Sequence, residues 1–356
     1  MTDVEVAKGS KRRKAGIIGA VVGLAAAGVA AGVAAERYIV NRSKKAEDVH
    51  ADEEFGVWDF DEGLTVTTDD GIDLHVEVVD GPSRATLVFV HGFCLDMGTF
   101  HFQRKAFEGK HRMVFYDQPG HGRSGKLHRG EYSLEALGAG LRAVLQATVP
   151  TGPVVLVGHS MGGMTIMALA EQMPELFESR VEGVVLISTS AGKLDQVNFG
   201  LPDVVAKFRR PLLPIIGFAG PISSAVIDRA RHASTDLAWL LTRRYGFGTA
   251  RPSPALVSYV EKMNSKTSTD VIARYLRTLY THARLLLLGP LCSVPVLLVC
   301  GDRDVLTPLT HTREIASVLP EAELMIVADG GHVVLLEHAD VVNEAMDTFL
   351  TKVLEQ

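Results

Sequence analysis

The stretch VVLVGHSMGG at residues 154–163 decides the fold, because it joins a strand to a helix through a serine. Residues 154–157 are β-branched or aliphatic, which favours a buried strand, and an apolar segment with helical spacing follows the turn directly. Gly158 and Gly162 are small enough to let the strand and the helix pack around a sharp turn, which lifts the hydroxyl of Ser160 clear of the backbone. This context predicts that Ser160 is a nucleophile.

Apolar runs and helical segments alternate along the rest of the chain. Leu64 to Thr68 and Leu74 to Val79 are predicted to form an antiparallel hairpin. Continuously apolar runs, which indicate strands covered on both faces, occupy residues 85–90, 113–116, 154–157, 183–187, 294–300 and 324–327. The pattern predicts an α/β fold with a mostly parallel, doubly wound sheet, whose sites lie at the carboxyl ends of its strands.

Short motifs follow several of the predicted strands, and together they resemble the α/β-hydrolase superfamily. The resemblance covers roughly residues 64–355 and implies the α/β-hydrolase fold, a serine hydrolase of the lipase or esterase kind, and no cofactor. No cluster with metal-ligand spacing is visible. The motifs are HGF at 91–93, DQPGHGRS at 117–124, GHSMG at 158–162, GDRD at 301–304 followed by Pro308, and Gly331 with His332.

The resemblance also implies a catalytic triad in the chain order serine, acid, histidine. After Ser160 the chain offers Asp302 or Asp304 as the acid and His332 as the base. The resembling hydrolases place the acid three residues after the glycine at 301, which favours Asp304 and leaves Asp302 as a turn residue. His332 follows two glycines in a loop that can reach Ser160, where it would take the serine proton and return it to the leaving group.

Two backbone N–H groups are expected to stabilise the oxyanion of the tetrahedral intermediate. The residue after the nucleophile, Met161, supplies one of them, and by resemblance Phe93 supplies the other. The remaining histidines of the motifs have lesser expected roles. His91 and His121 are predicted to brace their loops, and His159 merely to precede the nucleophile.

A long insertion at residues 194–288 is predicted to form a helical cap between the two parts of the hydrolase core, 63–193 and 289–356. Its helix-like stretches include residues 204–209, 223–232, 237–245, 255–263 and 269–288. Residues 211–222 are apolar but broken by Pro and Gly, so they cannot form a regular helix. This stretch is either a loop folded into the cap or a wall or entrance for an acyl chain.

The N-terminal residues have a different character from the core. A basic tail at 1–14 precedes an uncharged run at 15–35, which would span roughly 30 Å as a helix and therefore predicts a single-pass membrane anchor. A cleaved signal peptide is the alternative reading. Small residues at four-residue spacing predict that two such helices can self-associate. Basic residues flank the run on both sides, so they do not indicate on which side of the membrane the rest of the chain lies. Residues 36–62 are predicted to be a charged, solvated linker, in which Trp58 and Phe60 are candidates to pack on the edge of the domain.

These observations predict one enzymatic activity and leave several other activities open. The net charge of −6 argues against nucleic acid as a partner. The expected activity is cleavage of a hydrophobic, lipid-like carboxylic ester by a membrane-anchored serine hydrolase. A serine at the elbow excludes members of the superfamily that use an aspartate nucleophile. Thioesterases, acyltransferases and carbon–carbon bond hydrolases remain open, as does a non-catalytic, membrane-tethered module that binds an apolar ligand.

Overall fold

The structure, a computed structural model, describes residues 40, 42, 48–128, 132–197 and 235–355. The chain divides into two compact units, residues 1–47 and 48–356, and the second unit is described below. The predicted tail at 1–14, the predicted membrane helix at 15–35 and the apolar stretch at 211–222 lie outside the described residues. Among the helices that are described, none is long and apolar enough to cross a membrane.

One sheet of eight strands organises the described part of the second unit. In space the strands follow the order β1-β2-β4-β3-β5-β6-β7-β8; β1 and β2 pair antiparallel, as do β2 and β4, and the other neighbours are parallel. The predicted mostly parallel sheet is therefore confirmed. The strands are β1 (Glu62–Thr67), β2 (Asp73–Val79), β3 (Thr86–Val90), β4 (Arg112–Tyr116), β5 (Val154–His159), β6 (Val181–Ile187), β7 (Val296–Gly301) and β8 (Glu323–Val327).

Helices cover both faces of the central strands of this sheet. The edge strand β8, also predicted to be covered on both faces, instead exposes Leu324 and Ile326. On β3, Leu87 and Phe89 belong to one apolar cluster and Val88 and Val90 to another, so successive side chains are buried on opposite faces. This double burial explains why the central strands are continuously apolar. The α-helices of the described residues are α1 (His101–Phe107), α2 (Leu134–Thr148), α3 (Met161–Gln172), α4 (Pro174–Ser179), α5 (Thr235–Gly246), α6 (Pro254–Lys266), α7 (Thr269–Thr281), α8 (Leu309–Val318), α9 (Val334–Glu337) and α10 (Ala339–Leu354).

Helices α5, α6 and α7, called here the insertion helices, lie between β6 and β7 in the chain. Helix α7 ends earlier than the predicted helix at 269–288. His282 has extended backbone angles (φ −69°, ψ 145°), and Ala283 forms an isolated β-bridge with Gly192. The apolar residues that follow form short 3₁₀ turns, Leu285–Leu287 and Gly289–Ser293. In the sequence these apolar residues continue the helical spacing, although the backbone is no longer helical there. The predicted helix was therefore too long.

Residues 48–60, called here the strap, differ from the solvated linker predicted for 36–62. Asp48 accepts a hydrogen bond from the backbone N–H of Ala255 (2.7 Å) at the start of α6. The ring of Phe55 stacks on Tyr259 with centroids 4.7 Å apart. Despite its charge, the strap thus packs against the second unit, because its aromatic and capping side chains find partners there.

Candidate active site

Ser160 lies at the sharp turn between β5 and α3. Its backbone has φ 52° and ψ −117°, in a region that non-glycine residues rarely occupy. Its N–H donates to the carbonyl of Ile187 at 2.9 Å, which holds the turn in place. A Cβ at Gly162 would lie 1.8 Å from the carbonyl oxygen of Val90, so no other residue fits there without moving the backbone. The strain is therefore supported by the packing around it, as is common at functional sites.

Ser160, His332 and Asp304 form a continuous hydrogen-bonded chain. His332 Nε2 lies 2.9 Å from Ser160 Oγ, and His332 Nδ1 lies 2.9 Å from Asp304 Oδ2. The three residues follow the carboxyl ends of β5, β8 and β7, which are parallel strands of the same sheet. All three are buried. The structure thus brings together the three residues predicted as nucleophile, base and acid.

Asp304 is held as a carboxylate by its neighbours. Burial alone raises the pKa of Asp304, but the charge of His332, the hydrogen bond to its ring and those from Thr307 outweigh burial and leave the pKa below its ordinary value. The backbone N–H groups of Leu306 (2.8 Å) and Thr307 (2.9 Å) donate to Oδ1. Asp302, the alternative acid, has an exposed side chain.

Thr307 is a residue of the site that the sequence analysis missed. Its Oγ1 lies 2.8 Å from Asp304 Oδ2 and 3.3 Å from His332 Nδ1. It therefore fixes the carboxylate on the side opposite the backbone donors to Oδ1. The only signal in the sequence was its position three residues after Asp304, which does not by itself point to a role.

The predicted oxyanion donors both lie beside Ser160. A Cβ at Gly92 would lie 3.2 Å from Ser160 Cβ, so the loop that leads to Phe93 passes directly over the nucleophile. Phe93 lines the same cavity as Ser160. Met161 is the first residue of α3, a position whose N–H has no acceptor inside the helix. Both residues are thus neighbours of Ser160, and their role as oxyanion donors stays a prediction.

His91 braces the loop that contains Phe93, as predicted. Burial lowers the pKa of His91 to about 4, so the ring is neutral at pH 7. Its Nδ1 lies 2.8 Å from the carbonyl oxygen of Gly92, and its Nε2 accepts the N–H of Gln118 at 2.8 Å. This neutral ring therefore ties the turn after β3 to the loop after β4.

His121 also contacts its own loop, whereas His159 does more than precede the nucleophile. His121 Nδ1 lies 3.0 Å from the carbonyl oxygen of Pro119. His159 Nε2 lies 2.9 Å from the carbonyl oxygen of His332, and burial lowers the pKa of His159 to about 3. A neutral His159 must donate this hydrogen bond, so it anchors the backbone of the predicted base. The earlier expectation for His159 is wrong in this respect.

A cavity of about 400 Å³ lies next to Ser160 and His332. This volume falls within the range of small-molecule sites. Most of its lining is apolar, and part of it comes from the insertion helices. Side chains on the lining include Phe93, Met164, Leu241, Val260, Leu276, Leu279 and Leu306. In the described part of the chain, no group of three or more His, Cys, Asp or Glu side chains is placed to hold a metal ion.

Comparison with known proteins agrees with this fold. A family model described as the alpha/beta hydrolase fold matches residues 85–339, a span that contains Ser160, Asp304 and His332. A dihydrolipoyllysine-residue acetyltransferase component of the acetoin cleaving system from Pseudomonas putida is 30% identical over 280 residues, which are 76% of this chain and 65% of that protein. A pimeloyl-[acyl-carrier protein] methyl ester esterase from Xanthomonas oryzae pv. oryzae is 27% identical over 290 residues, which are 79% of this chain and 100% of that protein.

Solved structures show the same fold. A thermophilic esterase from Thermogutta terrifontis matches with a TM-score of 0.64 and 22% identity, over 83% of this chain and 100% of that one. An enol-lactonase from Burkholderia xenovorans matches with a TM-score of 0.62 and 24% identity, over 81% of this chain and 100% of that one. At this identity the likeness establishes the fold alone.

Proposed function

Since the chain belongs to the α/β-hydrolase family, we propose that it is a membrane-anchored serine hydrolase that cleaves a hydrophobic carboxylic ester through an acyl-enzyme. The observation that carries the proposal is the hydrogen-bonded chain from Ser160 through His332 to Asp304, which opens into an apolar cavity. One relative named above is a methyl ester esterase, which supports ester cleavage as the reaction.

In the proposed reaction, Ser160 Oγ attacks the ester carbonyl while His332 Nε2 takes the hydroxyl proton. The N–H groups of Phe93 and Met161 stabilise the resulting oxyanion. His332 then gives its proton to the departing alcohol, which leaves an acyl-enzyme on Ser160. Water attacks the acyl carbon with the same histidine as base, and the acid is released. Asp304 stays ionised throughout, orients the ring and stabilises the imidazolium.

The proposed substrate is hydrophobic because the cavity beside Ser160 is mostly apolar. Burying apolar substrate surface there contributes about 25 cal/mol for each Å² removed from water. We also propose that residues 194–288 form a cap over this cavity. Helices α5 and α6 support this, since Leu241 of α5 and Val260 of α6 are on the lining.

The membrane anchor is proposed from the sequence of residues 15–35, which lie outside the described residues. The length of this uncharged run supports a single-pass helix, and its small residues support self-association. Fractionation tests the anchor: the full chain should stay with membranes after a carbonate wash, whereas residues 48–356 should be released. A mature protein that begins after residue 35 would show signal cleavage instead.

The activity is tested with p-nitrophenyl esters of increasing acyl length, using the full chain in detergent and Ser160→Ala as the control. We expect hydrolysis that rises from short to medium or long chains and disappears in the variant. A fluorophosphonate probe should label the wild type only, because labelling needs an activated serine. Labelling without hydrolysis of any ester would exclude ester cleavage and direct attention to thioesters, acyl transfer or carbon–carbon bonds. Absence of labelling would leave a non-catalytic binding module.

A further inference from the structure

Two of the polar side chains that line the mostly apolar cavity beside Ser160 contact each other. Thr242 belongs to α5 and Asn264 to α6, and both are on the lining together with Ser160. Asn264 Nδ2 lies 3.3 Å from Thr242 Oγ1, so the amide donates to the hydroxyl oxygen. Thr242 is only 8% exposed, so it is a buried polar residue. The pair is therefore a polar spot in a mostly apolar surface.

The hydroxyl of Thr242 has a proton to donate and no acceptor for it within the described residues. A helical threonine usually donates to the carbonyl four residues earlier. Thr148 does so in α2, with Oγ1 2.8 Å from the carbonyl oxygen of Val144, and Thr165 does so in α3, 3.0 Å from the carbonyl oxygen of Met161. In the part of the chain that the structure describes, the side chain of Thr242 has one hydrogen bond, which it accepts from Asn264. A buried donor without an acceptor costs free energy, so an oxygen atom that enters the cavity gains by filling this place.

We infer that Thr242 and Asn264 bind an oxygen atom of the substrate that is separate from the scissile ester. The inference rests on the proposed function and narrows its substrate class: a largely hydrocarbon ester that carries a second hydrogen-bond acceptor, such as a ketone, hydroxyl or further ester oxygen. Thr242 donates to this oxygen, while the amide of Asn264 holds the hydroxyl in place. Thr242 and Asn264 are specificity-determining residues and take no part in the bond-breaking steps.

A site that hydrogen-bonds a substrate oxygen discriminates against an analogue that lacks it, because the polar group of the protein is then left unpaired. The test compares p-nitrophenyl decanoate with keto derivatives whose ketone lies near the ester, in the middle of the chain or near its methyl end. For the full chain in detergent, we expect one keto derivative to exceed decanoate in kcat/KM by about tenfold, as one neutral hydrogen bond allows.

Thr242→Val keeps the shape of the side chain and removes the donor, so this preference should fall towards one. Val260→Ala is the matched control from the same cavity: it should lower kcat/KM for both esters and leave their ratio as in the wild type. The inference is overturned if no keto derivative is preferred, or if the preference is the same in Thr242→Val. A lower melting temperature of Thr242→Val with an unchanged preference would show that the pair only joins α5 to α6.

Binding provides a readout that does not depend on turnover. Calorimetry with Ser160→Ala and the methyl esters of the same acids should give a Kd about tenfold lower for the preferred keto ester. The advantage should vanish when Thr242→Val is added. Equal Kd values for the keto and plain esters would overturn the inference even if the triad proved active. Conversely, tighter binding of the keto ester without any hydrolysis by the wild type would refute the proposed ester cleavage. It would still support binding of a second oxygen atom by Thr242 and Asn264.

Discussion

Asp304 shows at the level of one residue why two neighbouring carboxylates differ in their expected importance. Asp304 is buried against His332, whereas the side chain of Asp302 is exposed to solvent. An ionised Asp304 fixes the tautomer of His332 in which Nε2 accepts the proton of Ser160. The exposed carboxylate of Asp302 has no such partner.

Asp304→Asn should therefore lower kcat by about 10⁴-fold, because the wrong tautomer of His332 would face Ser160. Asp302→Asn is the matched control and should keep kcat within about twofold of wild type, as surface substitutions have small effects. Both are measured on the ester that the wild type hydrolyses best. A larger loss in Asp302→Asn than in Asp304→Asn would show that the acid is wrongly assigned.

His159 supports the predicted base, His332, through a hydrogen bond to its backbone carbonyl. Removing its hydrogen bond in His159→Leu should raise the activation free energy by about 1–1.5 kcal/mol, which is roughly tenfold in kcat. His159→Gln retains a donor and should recover part of the loss. The rate of fluorophosphonate labelling should follow the same order, because labelling uses the same serine and base. Equal kcat values in Leu and Gln variants would contradict a role for this donor.

At the level of elements, the sheet was predictable because its signal is local. Each central strand is a continuous apolar run, and the motif residues that meet in the site follow β5, β7 and β8 in the chain. Parallel strands bring their carboxyl ends to the same edge of the sheet, so the sequence alone predicts that Ser160 and His332 lie close together.

Contacts between segments far apart in the chain could not be predicted in this way. His159 contacts the carbonyl of His332, and Asp48 contacts the start of α6 more than 200 residues later. The sequence around His159 or Asp48 does not distinguish either residue from one that lacks such a contact. The end of α7 was missed for a related reason, since the apolar residues after Thr281 continue the helical period while the backbone does not.

Strand β2 contains Glu77, whose carboxylate is buried and paired with arginine side chains. Glu77 accepts hydrogen bonds from Trp58 Nε1 (2.7 Å) and Arg104 (2.8 Å) and also pairs with Arg123. Burial by itself raises the pKa of Glu77, but the hydrogen bonds from Trp58 and Arg123 and the charge of Arg104 outweigh burial and leave the pKa below its ordinary value. Glu77 is therefore ionised in the folded protein at lower pH than in the unfolded chain.

A carboxyl group with a lowered pKa stabilises the folded state above its unfolded pKa, and this contribution is lost as pH falls through the folded pKa. Glu77→Gln leaves the buried Arg104 uncompensated and should cost about 3 kcal/mol at pH 7. Denaturant unfolding of both proteins from pH 7 downward measures the difference, which should shrink once Glu77 becomes protonated in the wild type. A difference that is constant with pH would mean that the charge of Glu77 is not the cause.

At the scale of the whole molecule, the strap packs against α6, a helix that lines the cavity. Asp48 accepts the N–H of Ala255 at the start of α6, and Phe55 stacks on Tyr259 of the same helix. Tyr259 in turn donates its hydroxyl to the carbonyl of Gly98 at 2.9 Å, in the turn that follows the Phe93 loop. The strap, α6 and the core therefore share one set of contacts.

Truncation separates the strap from the residues before it. Removing residues 1–47 should change the melting temperature by no more than about 2 °C. Removing residues 1–60 loses a helix cap, an aromatic stack and the Trp58 hydrogen bond, about 1 kcal/mol each, and should lower the melting temperature by about 6–12 °C. In the protein that begins at residue 48, Phe55→Ala should reproduce part of this loss of melting temperature. Glu54→Ala, which changes an exposed neighbour, should not.

The same truncation should alter substrate binding more than chemistry. Helix α6 presents Val260 and Asn264 to the cavity, whereas Ser160, His332 and Asp304 lie on loops after β5, β8 and β7. Loosening α6 should thus raise KM for a long-chain ester several-fold while kcat stays closer to wild type, because uniform binding is lost and the triad keeps its geometry. A fall in kcat with an unchanged KM would mean that the strap supports the triad itself and that α6 is held by other contacts.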